Sequence, residues 1–389
     1  MGAAKYCSGA CRQRAYRRRA RDVVHGSARL DTFVGRHAEL ADLTKLLARH
    51  RIVTVIGPPG VGKSRLVQEA VAHRQHTTLV DLAEPAPGQG LHVLDGCEHV
   101  LQECVEFVQR HPAVRVLATS RELLNVPGEQ AYRLSPLESH DAKRLFCDRA
   151  SAVDGEFDEN APLLDSLCDR LDRLPLALEL AARLVRVLTL EEIAARLDHR
   201  FAVLTVGPRD AELHHRSLHA AIDRSYQLLT EEERSALRMF SLLPGGIGEE
   251  IADALLPHGW ELAKSLHARS LLEGGKQFTM LESVRVFAFD ALLQHDSVAV
   301  RDRLLDVLAT LPEPDEGDET EEVALGPLSW REERLLRVAA MVAEGLTNKQ
   351  IADDLHVSLR TVEADVRDLK TALGVRSRAQ IAAWATRAR

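Results

Sequence analysis

The spacing of apolar and polar positions changes several times along the 389 residues. The first clear signal is 51-RIVTVIG-57, a short apolar run followed by glycines and then by the helical pattern SRLVQEAVAH. An apolar run of that length between turn signals reads as a buried strand. The runs TTLVDL, GLHVLDG and VRVLATS repeat the strand signal, and a helical pattern near 97–110 separates the last two. Strands alternating with helices predict a parallel sheet covered by helices. From about 136 to 206 the pattern is helical throughout. Residues 216–300 are helical again, interrupted by 244-PGGIG-248 and 273-EGGKQF-278. The stretch PEPDEGDETEEVALGP at 312–327 has no apolar period and reads as a solvated linker. Residues 328–389 return to a helical period, with Trp330 and Trp384 near their ends. No fixed-period repeat runs through the chain.

Composition sharpens this picture in two places. Aromatic residues are only 4% of the chain, so the core must be built mostly from Leu, Val and Ala, which favours helices. The net charge of −8 excludes a uniformly basic nucleic-acid binder. The charge is uneven, however. Residues 5–21 carry Lys5, Arg12, Arg14, Arg17, Arg18, Arg19 and Arg21 with no acid. Residues 313–322 carry seven acids with no base. No apolar run approaches the roughly 18–20 residues that span a bilayer. The basic N-terminus lacks the apolar stretch of a secretory signal. A cytoplasmic protein with no membrane partner is expected. Six cysteines, at 7, 11, 97, 104, 147 and 168, imply no disulfide framework in a chain of this size.

The strongest chemical signal is GPPGVGKS, comprising Gly57, Pro58, Pro59, Gly60, Val61, Gly62, Lys63 and Ser64. It fits the phosphate-loop pattern in its required place, after a strand and opening a helix. Glycines let backbone N–H groups close around phosphate oxygens. Lys63 supplies charge for the terminal phosphates, Ser64 a hydroxyl for Mg²⁺, and the helix start at Arg65 a partial positive charge. Such a loop needs a metal-holding acid at the end of a nearby strand. Asp95, closing LHVLD, is the candidate; capping the helix near Cys97 is the alternative role for an Asp there. The next residue is Gly96, so Glu98 is the only nearby carboxylate able to orient water, and hydrolysis is expected to be slow. Arg121 in ATSR can approach a γ-phosphate, against the plainer role of a surface Arg.

The ordered motifs FVGRHAEL, GPPGVGKS, LHVLDGCEHVL, VLATSRE and RLPLALELAA resemble those of the STAND-type NB-ARC nucleotide switches. They are most similar to the ATPase modules of LuxR-type, AfsR-like regulators. The segment LHAAIDRSYQLLTEEERSALRMFSLLPGGI resembles the winged-helix part that follows in that family. The resemblance covers about residues 30–290. It implies ATP or ADP with Mg²⁺ as ligands, Val34, Gly35 and Arg36 near the adenine, and Pro175 reaching the nucleotide from a helical lid. It also implies that Arg121 senses the γ-phosphate. The sequence departs from the family in a short Lys63–Asp95 spacing, in Arg173 where glycine is common, and in lacking the repeat-rich sensor that often follows. These departures leave no obvious place for a signal to enter, and an upstream signalling protein or a small ligand is the partner expected to supply one.

Residues 328–389 resemble the LuxR-type helix-turn-helix over their whole length. The physical pattern agrees. Thr347 can cap a short helix, NKQIADDL, and Ser358 a second one. In that second helix Leu359, Val362, Val366, Leu369 and Leu373 form one apolar stripe. Arg360, Ala364, Arg367 and Thr371 lie opposite, while Glu363 and Asp365 flank the stripe at about 80° from its centre, so the acids border the outer face. Asp368 lies on the outer side. By resemblance, Glu363, Ala364 and Arg367 point into the major groove, where Glu accepts from cytosine and Arg binds guanine. Lys349, Arg360, Thr361, Lys370, Arg376 and Arg378 complete the candidate DNA surface, with Lys349, Thr361, Arg376 and Arg378 on phosphates. Asp365 stands where His is common. The arm YCSGACRQRAYRRRAR resembles half of a small zinc ribbon joined to a basic helix, but Cys7 and Cys11 supply two ligands where structural zinc needs four.

The expected fold is therefore an α/β P-loop domain with a parallel sheet, all-α lid and winged-helix regions, and a C-terminal four-helix LuxR-type helix-turn-helix. The expected boundaries are 1–28 for the basic arm, 29–135 for the P-loop domain, 136–206 for the lid, 207–300 for the winged helix, 301–327 for the acidic linker and 328–389 for the reader. Two functions compete. One is a nucleotide-switched transcriptional regulator that binds double-stranded DNA as a homodimer, at most a slow ATPase. The other is a working ATPase, a remodeller or motor, with an accessory DNA anchor.

Overall fold

In a computed structural model the described residues are 32–72, 77–79, 90–197, 200–204, 217–243 and 246–295. Toward the C-terminus they are 335, 337–339, 341–342, 344–355, 357, 359–372, 377–378 and 381. The arm with Cys7 and Cys11, the acidic segment 313–322, Ser358, Leu373 and Arg376 lie outside them. The chain forms two units, one within 1–227 together with 268–271, the other within 228–267 together with 272–389.

The first unit is built on a five-stranded sheet. Strand β1, Ile52–Ile56, is buried at every position and therefore lies in the sheet interior. It is flanked by β4, Arg115–Thr119, and by β5, Glu129–Arg133. Strands β2, Thr77–Leu79, and β3, Leu91–Leu94, complete the order β2-β3-β4-β1-β5, and every neighbouring pair is parallel. The sheet thus sets the C-terminal ends of β1, β3 and β4 along one edge, the usual ligand side of such a sheet. Helix α1, His37–Arg49, precedes β1 and helix α2, Lys63–Val71, follows it. The single helix expected near 97–110 is a 3-10 turn, Cys97–His99, and then α3, Leu101–Arg110. Ile52, Leu94, Cys104, Phe107 and Val116 join in one apolar core beneath β3 and β4.

After the sheet, the described residues of this unit hold the helices α4 Ser139–Ser151, α5 Leu164–Arg170, α6 Pro175–Ala182, α7 Leu190–Arg196, α8 Arg200–Val203 and α9 Leu218–Tyr226. Pro175 opens α6 at the position where a missing N–H costs nothing. Thr189 and Glu192 form a reciprocal capping box at α7.

The second unit contains α10 Glu231–Phe240, α11 Glu249–Leu255, most of α12 Gly259–Ala268, and α13 Glu282–His295. The two glycine-rich interruptions come together as sheet. Strands β6, Glu273–Gly274, and β7, Phe278–Thr279, pair antiparallel, and Ile247 bridges Phe278. Trp260 and His267 pack on the Phe278 ring at 4.8 and 4.9 Å. Farther along, α14, Asn348–Asp354, and α15, Leu359–Ala372, share an apolar core of Val338, Ile351, Val362, Val366 and Leu369. Among the described residues no helix is long and apolar enough to cross a membrane.

Candidate functional site

Residues 57–62 carry the chain from β1 into α2. Gly60 and Gly62 take φ values of +81° and +97°, a region that a side chain disfavours. Gly60 is also crowded, since a Cβ there would lie 3.1 Å from Cβ of Leu176. The Leu176 N–H donates to the Gly60 carbonyl at 3.2 Å, and a Cβ on Gly62 would meet Pro175 Cγ at 3.8 Å. The start of α6 therefore rests directly on the phosphate loop.

Lys63 opens α2, and its Nζ donates to the carbonyls of Gly57 and Pro58 at 2.7 and 3.0 Å. Burial pulls its ammonium down to about 8, assisted by Arg121 and opposed by Glu98 and Asp95. Ser64 donates from Oγ to Asp95 Oδ1 at 2.7 Å. Thr119 donates to the same oxygen at 2.5 Å and accepts from the Gly96 N–H at 2.8 Å. Asp95 does not cap the following turn, whose N-cap is Gly96 with no side-chain cap bond. Its carboxylate instead joins the loop after β1 to the ends of β3 and β4. Thr119 was missed by sequence reasoning, although it lies in the VLATSRE motif two residues before Arg121.

Glu98 Oε1 lies 3.3 Å from Arg121 Nε and 3.4 Å from His99 Nε2. Burial alone would raise its pKa, but the charges of His99, Arg121 and Lys63 outweigh it and hold the carboxyl at about 2. Arg121 is not a surface residue, at 8% exposure. Its Nη2 donates to the Ala221 carbonyl at 3.4 Å, its own carbonyl accepts from Ser270 Oγ at 2.8 Å, and Glu122 beside it pairs with Arg269 at 3.2 Å. Of the segment Val34–Arg36, Val34 is half-buried and the other two are buried. The Arg36 guanidinium donates to the carbonyls of Ser135 and Val61 at 2.8 and 3.4 Å and pairs with Glu39 at 2.6 Å, which fastens this segment to the loop. Arg65 lies over the Phe33 ring at 5.6 Å.

These residues fit a magnesium nucleotide. Mg²⁺ takes few protein ligands and completes its shell with waters and phosphate oxygens, so Ser64 and Asp95 suffice. Among the described residues no group of three or more His, Cys, Asp or Glu could hold a metal by itself.

In the helix-turn-helix, Thr347 and Gln350 form a capping box at α14. On α15, Arg360, Glu363 and Arg367 are exposed, and Thr361, Ala364 and Lys370 are half-buried; Lys349 on α14 is exposed. The Arg378 guanidinium donates to Asn348 Oδ1 and to the Leu346 carbonyl, so it ties the protein together around the start of α14. Two expectations for α15 are corrected. Asp365 does not border the outer face: it is fully buried. Leu359 is not in the buried stripe: it is 46% exposed.

Comparison with known proteins places both ends of the chain. Residues 327–385 match the family "Bacterial regulatory proteins, luxR family", and residues 32–146 match "AAA ATPase domain". An uncharacterized Mycobacterium tuberculosis protein is 34% identical over 279 residues, which cover 60% of this chain and 71% of that protein. A second protein from that organism, named "Putative HTH-type transcriptional regulator", is 33% identical over 339 residues, 72% of this chain but only 38% of that longer one. Among solved structures, a Walker-type ATPase of Pyrococcus abyssi aligns over 66% of this chain and 95% of its own, with 11% identity and a TM-score of 0.48. The chain belongs to the family of the first M. tuberculosis protein, and it is a transcriptional regulator with a LuxR-type helix-turn-helix behind an AAA-type ATPase domain.

Proposed function

We propose that this regulator is a switch in which ATP and ADP, held with Mg²⁺ at the phosphate loop, set the affinity of the helix-turn-helix for double-stranded DNA. The observation that carries the reading is the Ser64–Asp95–Thr119 cluster beside Lys63, in one chain with a LuxR-type reader. In this reading Gly57, Pro58, Pro59, Gly60, Val61, Gly62, Lys63, Ser64 and Arg65 wrap the phosphates, with Val34, Gly35 and Arg36 at the base and Pro175 at the lid. Mg²⁺, held by Ser64 and Asp95, would neutralise phosphate charge. Glu98 is poorly suited to be a fast general base, because it is buried and ion-paired to Arg121 and His99. Arg121 is suited to sensing, since a γ-phosphate competes with Glu98 for its guanidinium. The nucleotide shifts the DNA-binding balance only by its differential affinity for two states. On DNA, two copies read paired half-sites through Glu363, Ala364 and Arg367, the common arrangement for this motif. Lys349, Arg360, Thr361 and Lys370 add contacts at the edges of that face.

The test has two steps. DNA fragments retained by the full chain are sequenced with ATP and then with ADP, and affinity for the selected fragment is measured in both states. At least a roughly tenfold difference is expected, a free-energy gap of about 1.4 kcal/mol, and Lys63→Ala should abolish it. Equal affinities in the two states would overturn the switch. Turnover above about 1 per second would favour the working-ATPase reading instead.

A further inference from the structure

A carboxylate beside the expected base site has no part in the functions described so far. Gly35 is buried with φ of +69°, and a Cβ there would fall 2.5 Å from Cγ and 2.6 Å from Oδ2 of Asp141. The missing side chain at Gly35 is what lets the Asp141 carboxylate come down onto the backbone of the Val34–Arg36 segment. Asp141 lies in the first turn of α4, and its side chain is 27% exposed. Its charged neighbour is His140, with Nδ1 3.6 Å from Oδ1, but that side chain is 86% exposed and the pair is weakened by solvent. Among the described residues no N–H or O–H donates a hydrogen bond to the Asp141 carboxylate. An acid in the first turn of a helix is favourable in any context. That accounts for the residue type but not for a carboxylate packed over a left-handed glycine.

We infer that Asp141 reads the nucleotide base and selects a 6-amino purine over a 6-oxo purine. The inference rests on the nucleotide reading above. In that reading the base lies along Val34–Arg36, and a carboxylate packed on Gly35 would be within reach of the base's edge. A carboxylate only accepts hydrogen bonds at neutral pH. The exocyclic amine of adenine donates to it, whereas the carbonyl of hypoxanthine or guanine opposes one acceptor with another. Sites built around one such polar pairing discriminate far better than apolar pockets, because the wrong partner leaves a polar group unmatched.

The test uses the full chain and displacement of a fluorescent ADP by ATP or by inosine triphosphate. The wild type should bind ATP at least tenfold more tightly than inosine triphosphate, an order-of-magnitude expectation for one charge-assisted hydrogen bond. Asp141→Ala should bring ATP down to the inosine level and leave inosine triphosphate unchanged. Asp141→Asn, close in shape and able to donate as well as accept, should narrow the ratio by tightening inosine triphosphate. If the alanine variant does not fold, the asparagine variant decides. A wild type indifferent to the base, or variants that keep the wild-type ratio, would overturn the inference. A wild type that binds neither nucleotide would instead overturn the nucleotide reading itself, and this inference with it.

Discussion

Arg173 shows how one side chain can sit against its backbone. The turn between α5 and α6 holds Asp172 and Arg173 in succession at φ of +55° and +50°. The Arg173 N–H donates to the Cys168 carbonyl at 3.0 Å, and its own carbonyl accepts from Leu137 at 3.1 Å, so the left-handed turn is pinned from both sides. A non-glycine residue in that conformation costs roughly 1–2 kcal/mol. The ion pair to Asp169 at 3.5 Å is exposed and returns little. Arg173→Gly should therefore stabilise the protein, by at most about 1 kcal/mol after the entropy glycine adds to the unfolded chain. A denaturant midpoint that falls would refute this. Lys63 gives a second prediction at this scale. Its ammonium sits at about 8 when folded against the ordinary 10.5, so between those values the unfolded chain binds more protons. Stability should then rise with pH across that window, because stability rises wherever the unfolded state is the more protonated. A bound phosphate would restore the ammonium. Nucleotide binding near pH 8 should accordingly take up protons, visible as binding heats that differ between buffers of different ionisation enthalpy; buffer-independent heats would count against Lys63 as the phosphate ligand.

At the scale of elements, the sequence shows clearly those that announce themselves by one strong signal. β1 is apolar at every position but Thr54 because it is buried on both faces, and the glycines after it mark the phosphate loop. β5, with the sequence EQAYR, lies at the sheet edge and is only partly buried, so it carries no apolar run and no strand was expected there. α1 fully buries only Leu43 and Leu47, and Leu40 and Leu46 beside them are half-buried, so its apolar signal is thin. The capping residues were legible because capping is local: Thr347 needs only Gln350 three residues on. The facing of α15 was not, because a helical wheel assumes one packing direction. The buried arc runs from Asp365 through Leu369 and Val362 to Val366, about 100° wide, which turns it toward Asp365 and away from Leu359. Neighbouring helices decide that rotation, and no residue of α15 alone records it. The site divides in the same way. Lys63, Ser64 and Asp95 were legible from motif chemistry, while Thr119 was not, since its role depends on β4 lying between β1 and β3. Removing the local signal at α14 gives a prediction: Thr347→Ala should cost about 1 kcal/mol, the usual loss for a helix cap, and weaken DNA retention. Unchanged melting of that variant would show that the box contributes nothing.

For the whole molecule the question is how a chain of net charge −8 approaches a polyanion. Glu313, Asp315, Glu316, Asp318, Glu319, Glu321 and Glu322 form a block of seven acids shortly before the reader, and residues 5–21 form a basic block at the other end. Like charge near a DNA-binding face lowers the association rate, and opposite charge between two segments of one chain lets them screen each other. In the proposed reading both effects would oppose DNA binding, the first by repelling phosphates and the second by occupying arginines available to hold them. Replacing the seven acids with Gln and Asn takes the net charge from −8 to −1 without touching either candidate site. Affinity for duplex DNA should rise, and the rise should shrink as salt increases from about 50 to 200 mM, because the Debye length falls over that range. Titrating the variant and the wild type against one operator at several salt concentrations checks both parts. The two curves should converge at high salt if the block acts through charge. An affinity that stays the same at low salt would mean that the acids neither repel the duplex nor engage the basic arm. A gain that persists at high salt would point to a contact specific to those side chains rather than to their charge.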